Sequence, residues 1–333
     1  MKVTRPQGET PARIEAPLQP IAKRPHDNGR MTPQQPGTAL GTTAFATLLL
    51  IALMMGANHV AARVAFDHGV DVLTAISFRS GITALVVALI VWQQRVPLAL
   101  RPRHRWALPA IGALIALQSF CLYSSVARLP VALALLAFNL YPLLTALWAR
   151  VLYGHRAERR VLLAMPVILT GLALALDVLG AASGLGASAH WGQIGTGVAF
   201  AMAAAAVFGL ALVLTQHEAG TLDGRLRTAS TMGVVTLLAM TAAAMQGGFH
   251  LPNAAPGWWG LAALTFLYGT AFTIMFTVLP RLGVVGNSAI MNVEPIFALV
   301  LAWALLDQRI AATQVAGGLL VVGCVVWLGL RRR

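Results

Sequence analysis

The sequence predicts an all-α integral membrane protein: ten transmembrane helices arranged as two inverted five-helix repeats, with both termini in the cytoplasm. Three observations carry that expectation. Of the 333 residues, 58% are hydrophobic and 11% charged, where a soluble domain carries about 25% charged residues. The apolar runs are separated by short polar gaps that hold nearly all the arginines. One segment is also written twice: RLPVALALLAFNLYP at 128–142 and RLGVVGNSAIMNVEP at 281–295 share Arg, Leu, Val, Asn and Pro at the same relative positions.

Residues 1–42 hold seven prolines, mixed charges and no apolar run. Such a segment buries too little apolar surface to offset its chain entropy, and a disordered cytoplasmic tail is expected. It lacks the apolar core and small-residue cleavage site of a secretory signal, so the first hydrophobic helix is expected to act as an uncleaved insertion signal. Apolar runs then follow near 43–63, 72–92, 106–126, 130–149, 161–179, 192–215, 229–247, 258–279, 285–306 and 312–330. Each is about as long as the roughly 20 residues that cross a bilayer as a helix. Helix is the expectation because a lipid-exposed segment must satisfy its own backbone, and uniform apolarity does not fit the alternation of a barrel strand.

The loops orient these spans. With the N-terminus inside, twenty Lys and Arg fall on the cytoplasmic side and only Arg63, Arg128 and Arg309 outside. That asymmetry predicts both termini in the cytoplasm of an inner or plasma membrane. A net charge of +13 would suit a nucleic-acid binder in a soluble chain, but here it serves topology, and no nucleic-acid partner is expected. Cys121 and Cys324 lie alone in apolar runs and read as small buried hydrophobes, neither disulfide nor metal ligands.

The repeat has one offset. Adding 153 pairs Gly56 with Gly209, Thr83 with Thr236, Trp106 with Trp259, Asn139 with Asn292, Pro142 with Pro295 and Arg156 with Arg309, without a gap. Residues 43–180 and 192–330 are therefore read as duplicated halves. Five spans per half is an odd number, so the second copy crosses in the opposite sense. Halves related in this way can exchange conformations around one central site, which is alternating access. Duplication that merely built a stable bundle is the plainer reading of the same pattern.

The ten spans, the two five-span halves, Arg79 in the second span and the paired segments FNLYP and MNVEP resemble the EamA-type proteins of the drug/metabolite transporter superfamily. The resemblance covers residues 43–330. It implies a secondary transporter that exports or exchanges small polar metabolites, such as amino acids, through a central cavity between the halves, with no cofactor and no catalysis. One departure stands out: the family often ends its fourth span with a glutamate, where this chain has VLYGHR, with Gly154 and His155; the second copy has Asp307.

Polar residues inside a bilayer are costly and call for a reason. Arg79 lies about 10 Å below the outer end of its span, and Glu294 about 20 Å below the outer end of the ninth, at about 1.5 Å per residue. A pair between them is within reach. The functional expectation is that Arg79 receives a substrate carboxylate while Glu294 receives its amino group or a coupling proton; the bland one is a fixed ion pair, or an arginine reaching outward to Asp71. Pro142 and Pro295 each remove an amide from a helix and predict kinked fourth and ninth helices. Asn139 and Asn292 stand near those kinks as ligand contacts or as interhelical hydrogen-bonding groups. Gln118, Ser119 and Tyr123 share a polar stripe suited to lining the cavity. Asn58 and His59 fall near the outer end of the first span, where they could line a vestibule or, for His59 especially, simply meet headgroups.

The remaining features read as structure. Trp106, Trp258 and Trp259 begin their helices where aromatic rings favour the interface, and Gly195, Ala199 and Ala203, four apart, predict a close helix–helix approach. No zinc, nucleophile or phosphate-loop motif is present, which excludes ATP coupling within this chain and leaves a membrane enzyme without machinery beyond Glu294. A passive channel or a lipid flippase shares every feature above and stays open.

Overall fold

The computed structural model describes residues 1, 42–155, 159–177, 187–277, 293–308 and 311–330. The proline-rich tail and Asn292 lie outside them. Among the described residues the regular elements are α-helices, all within the unit Ala39–Arg333: α1 (Thr42–Asp67), α2 (Val72–Gln93), α3 (Pro102–Val126), α4 (Val131–Phe138), α5 (Tyr141–Tyr153), α6 (Arg159–Ala175), α7 (Ala187–Glu218), α8 (Gly224–Met245), α9 (Ala255–Thr277), α10 (Glu294–Leu306) and α11 (Ala312–Leu330). Seven spans are long and apolar enough to cross a membrane, counting Val131–Tyr153 as one; α6, α10 and α11 contribute shorter apolar stretches. The protein is a multi-pass membrane protein.

Local sequence explains several helix ends. Asp71 and Asp223 accept the backbone N–H groups of Thr74 and Arg225 and so cap α2 and α8, satisfying donors that a helix start leaves open. The Arg225 guanidinium beside Asp223 holds its carboxyl below the usual carboxylate range. Gly154 and Asp307, 153 residues apart, end α5 and α10 in the left-handed conformation, at φ +68° and +50°. Glycine takes that conformation freely, and aspartate is one of the few other residues that visits it. These two equivalent positions are thus a backbone stop in both halves.

The fourth span is broken and not merely kinked. Asn139 closes α4, its N–H bonding to the carbonyls of Leu135 and Leu136, and α5 begins at Tyr141. Pro142 then occupies the first turn of a new helix, where no intrahelical donor is needed, in place of the helix interior expected from sequence. Pro295 holds the same place in α10, which begins at Glu294. Helix α4 is buried all round, from Val131 to Ala137, as expected of a segment with no polar side chain.

Packing obeys the same offset of 153. A Cβ on Gly56 of α1 would lie 3.0 Å from the Glu294 carbonyl and 3.1 Å from the Ala298 amide of α10; one on Gly209 of α7 would lie 2.8 Å from the Thr145 amide and 3.1 Å from the Leu144 carbonyl carbon of α5. Ala298 and Thr145 are themselves 153 apart. Both helix pairs touch backbone to backbone, which only a missing side chain permits. The close approach on α7 is not made by Gly195, Ala199 and Ala203: Ala199 and Ala203 are exposed, and the inward face carries Gly197, Ala201, Ala204 and Ala205. The four-residue spacing was real, but it marked the wrong side of the helix.

Helix directions follow from the contacts. α1 and α3 run parallel, since Asn58 meets Tyr123 and Arg63 meets Val126. α3 and α7 run antiparallel, with Phe120 against Phe200 and Arg103 against Thr221. The first helix of the second half therefore runs against the first helix of the first half. One end of the bundle gathers Gln94 with Arg225, Arg103 with Thr221, and Tyr153 with Glu218. The other gathers Arg63 with the carbonyls of Val126, Ala127 and Leu129, Asn253 with His68, and Val131 with Gln308.

Candidate functional site

A connected group of polar side chains is sealed between α1, α2, α3 and α9, near the end that carries Arg63. Arg79 of α2 is 4% exposed. Its Nη1 donates to the Tyr123 hydroxyl at 3.0 Å and its Nη2 to the Ser119 hydroxyl at 2.7 Å. The Tyr123 hydroxyl in turn donates to Asn58 Oδ1 at 3.1 Å, and the Ser119 hydroxyl donates weakly to Gln118 Oε1 at 3.4 Å. The guanidinium lies between two tyrosine rings, 4.4 Å from the centroid of Tyr123 and 4.1 Å from that of Tyr268. A desolvated cation over an aromatic face gains about 2 kcal/mol or more. That contribution, with the two hydroxyls, lowers the cost of holding the charge there.

Arg79 and Glu294 do not meet. Among the described residues no carboxylate lies within ion-pair distance of Arg79, and Glu294 is instead 3.2 Å from Nε2 of His59. The reason is geometric: the two tyrosines and Ser119 occupy the guanidinium, while the α1–α10 contact at Gly56 brings His59 to the carboxylate first. His59 is thus a core residue at 2% exposure, not a headgroup contact, and its ring stands edge-on to Tyr123. Asn58, at 0% exposure, belongs to the core as well. Tyr268 went unnoticed in the sequence because a lone tyrosine in an apolar helix carries no signal until its neighbour is known.

Several donors in and near this group have no partner: Asn58 Nδ2, His59 Nδ1, Arg79 Nε and Asn139 Nδ2 are all buried and unbonded. Imidazole Nδ1 is a donor in one tautomer only; the other three are donors in any state. Buried polar groups are bonded as a rule, so the arrangement suits a ligand rich in acceptors. Asn139 is 4% exposed at the α4–α5 break, and no contact joins it to the Arg79 group; Asn292 lies outside the described residues.

The polar group occurs once. The positions 153 residues from Asn58, His59, Arg79 and Ser119 are Ala211, Leu212, Met232 and Phe272, and Glu294 corresponds to Tyr141. Duplication supplied the scaffold, and divergence left the charge in one half. Elsewhere, a small apolar crevice lies between α4, α10 and α11, lined by residues such as Leu136, Pro295, Ile296 and Gly318. It adjoins the helix breaks, but Gln314 is the one polar side chain along it. No three His, Cys, Asp or Glu side chains among the described residues gather into a metal site.

Comparison with known proteins agrees with the duplication. The model of the EamA-like transporter family matches residues 42–176 and again 195–330. No curated protein matches the chain. A solved crystal structure is similar at 18% sequence identity with a TM-score of 0.56, over 87% of this chain and 99% of the other; at that identity the likeness concerns the fold.

Proposed function

The chain belongs to the EamA-like transporter family, and from that premise we propose that it is a secondary carrier exporting or exchanging small polar metabolites that bear a carboxylate, amino acids among them. It works by alternating access across an inner or plasma membrane, with ten spans and both termini in the cytoplasm. The observation that carries the substrate class is Arg79: a buried cation with no acid partner among the described residues and an unbonded Nε, linked through Tyr123 to Asn58, whose Nδ2 is also unbonded. A guanidinium left without a carboxylate in a low-dielectric site is held at a cost, and a substrate carboxylate recovers that cost on binding. In this scheme Arg79, Asn58 and Tyr123 bind the carboxylate, Gln118 borders the site through Ser119, and Glu294 offers a counter-charge for an amino group. Asn139, at the α4–α5 break three residues before Pro142, and Asn292 are further candidate contacts for the substrate.

The reading is tested by uptake of a labelled panel of amino acids and other small carboxylates into proteoliposomes, with counterflow, comparing wild type with Arg79→Gln and Arg79→Lys. Saturable counterflow of a carboxylate that Arg79→Gln abolishes and Arg79→Lys weakens is the expected result. Uptake that survives Arg79→Gln unchanged overturns the assignment of Arg79 as the carboxylate contact.

A further inference from the structure

We propose that His59 and Glu294 together form a proton site, a single ionisable pair between the two halves that makes the exchange between inward- and outward-facing states depend on pH. The proposal rests on the carrier reading above and adds the coupling ion and its location.

Geometry supports the pair in three ways. His59 Nε2 and Glu294 Oε1 are 3.2 Å apart, with side-chain exposures of 3% and 21%. One group is sealed and the other is about a fifth exposed, so the pair is accessible from the carboxylate side. His59 Nδ1 is buried and unbonded, so the imidazole gains or loses charge without breaking a second hydrogen bond. The closeness is also built in: Gly56, about one turn before His59, lets the α1 backbone approach the Glu294 carbonyl so closely that a Cβ there would sit 3.0 Å from it and push α10 back.

The repeat then turns a local pair into a coupling device. His59 stands on the first helix of one half and Glu294 on the ninth span, in the other. The matching contact, α7 against α5, carries Leu212 and Tyr141, neither of which changes charge near neutral pH. In an inverted-repeat carrier the two halves exchange conformations between states. The α1–α10 and α5–α7 contacts then trade geometries, and only one of them titrates. A proton bound to the pair therefore favours one state over the other by its difference in affinity. Taken from water on one side and released to water on the other, it crosses the membrane without any other co-reactant.

The surroundings leave the pair as the titrating unit. Tyr123 of α3 faces His59 edge-on, and Arg79 and Tyr268 engage each other beyond it. Arg63 on the same helix is committed to Asp67 at 2.9 Å, and α4 offers no ionisable side chain.

The test needs no substrate. The full chain in lipid nanodiscs is followed by hydrogen–deuterium exchange from about pH 5 to about pH 8, the window in which an imidazole changes charge, with intrinsic exchange corrected. In wild type, protection of peptides spanning 54–62 and 294–306 is expected to change by about tenfold for each unit by which proton affinity differs between the states. His59→Gln and Glu294→Gln each flatten that profile, and the double variant is no flatter. Glu294→Asp keeps the carboxyl and keeps a profile with a moved midpoint, which covers the case in which Glu294→Gln fails to fold. Gly233→Ala, at a position with nothing within 4 Å of a built Cβ, leaves the profile intact; because no substrate is present, failure of the carboxylate reading in the uptake assay leaves this profile standing, and the two are told apart. A wild-type profile that is flat, or one that persists in His59→Gln and Glu294→Gln, overturns the proposal.

Discussion

At the scale of single residues, Tyr123 is the joint of the polar group, since its ring covers Arg79 while its hydroxyl accepts from Arg79 and donates to Asn58. Tyr268 supplies a ring on the other face, and its hydroxyl makes only a long contact of 3.7 Å with the Met232 sulfur. The two tyrosines should therefore respond differently to loss of the oxygen. Tyr123→Phe leaves Asn58 with neither of its polar atoms bonded, a cost of about 1–3 kcal/mol for a buried group, and should lower both the melting midpoint in detergent and any carboxylate counterflow. Tyr268→Phe keeps the cation–π contact and should stay within about 0.5 kcal/mol of wild type. Equal damage from both would show that ring packing, and not the hydroxyl relay, holds the site.

At the scale of elements, two of the contacts that bring the halves together are close backbone contacts related by the repeat, α1 against α10 at Gly56 and α7 against α5 at Gly209. Adding a methyl at either forces backbone apart, and inserting a methylene into a packed site costs about 1–3 kcal/mol. Gly56→Ala and Gly209→Ala should each lower thermal stability, and Gly56→Ala should also disturb His59 and Glu294. Gly233 in α8 has nothing within 4 Å of a built Cβ, so Gly233→Ala should be neutral or stabilising by up to about 1 kcal/mol through helix propensity. If Gly56→Ala melts no lower than Gly233→Ala, the close approach is not what holds α1 to α10. The same logic explains why Gly195, Ala199 and Ala203 misled: small residues lined both sides of α7, and only the neighbouring helix selects which side is used.

At the scale of the whole molecule, the two ends of the bundle differ in charge. Arg95, Arg101, Arg103, Arg105, Arg150, Arg225 and Arg227 gather at the end with Tyr153 and Glu218, while Arg63 and Arg128 are at the other. By the positive-inside rule we propose that the richer end is cytoplasmic. In intact cells, a membrane-impermeant thiol reagent should label a cysteine placed at Gly248, in the α8–α9 connection, and spare one placed at Gly154, after α5, in a background with Cys121 and Cys324 replaced by serine. Labelling at Gly154 but not at Gly248 would reverse the orientation and move the polar group toward the cytoplasmic face.

The sequence alone determined the membrane class and the duplication, and it marked the fourth span as irregular near Asn139 and Pro142, with a kink expected where the structure has a break. Each depends on composition or on spacing along one chain: apolar length, arginine position, and an Asn-x-x-Pro written twice at one offset. It also singled out Arg79, Glu294, Tyr123 and Asn58 as costly polar residues inside apolar runs. Only the tertiary structure decided who meets whom. Arg79 turned to two tyrosines and a serine instead of Glu294, His59 moved from the headgroups to the core, and Tyr268 entered the site unannounced. The physical reason is that depth along a helix follows from residue number, whereas the face a side chain turns to a neighbour depends on helix rotation and on contacts between halves more than a hundred residues apart. Those are set where backbones touch, as at Gly56, Gly209, Gly260 and Gly317, and no periodicity within a single helix records them.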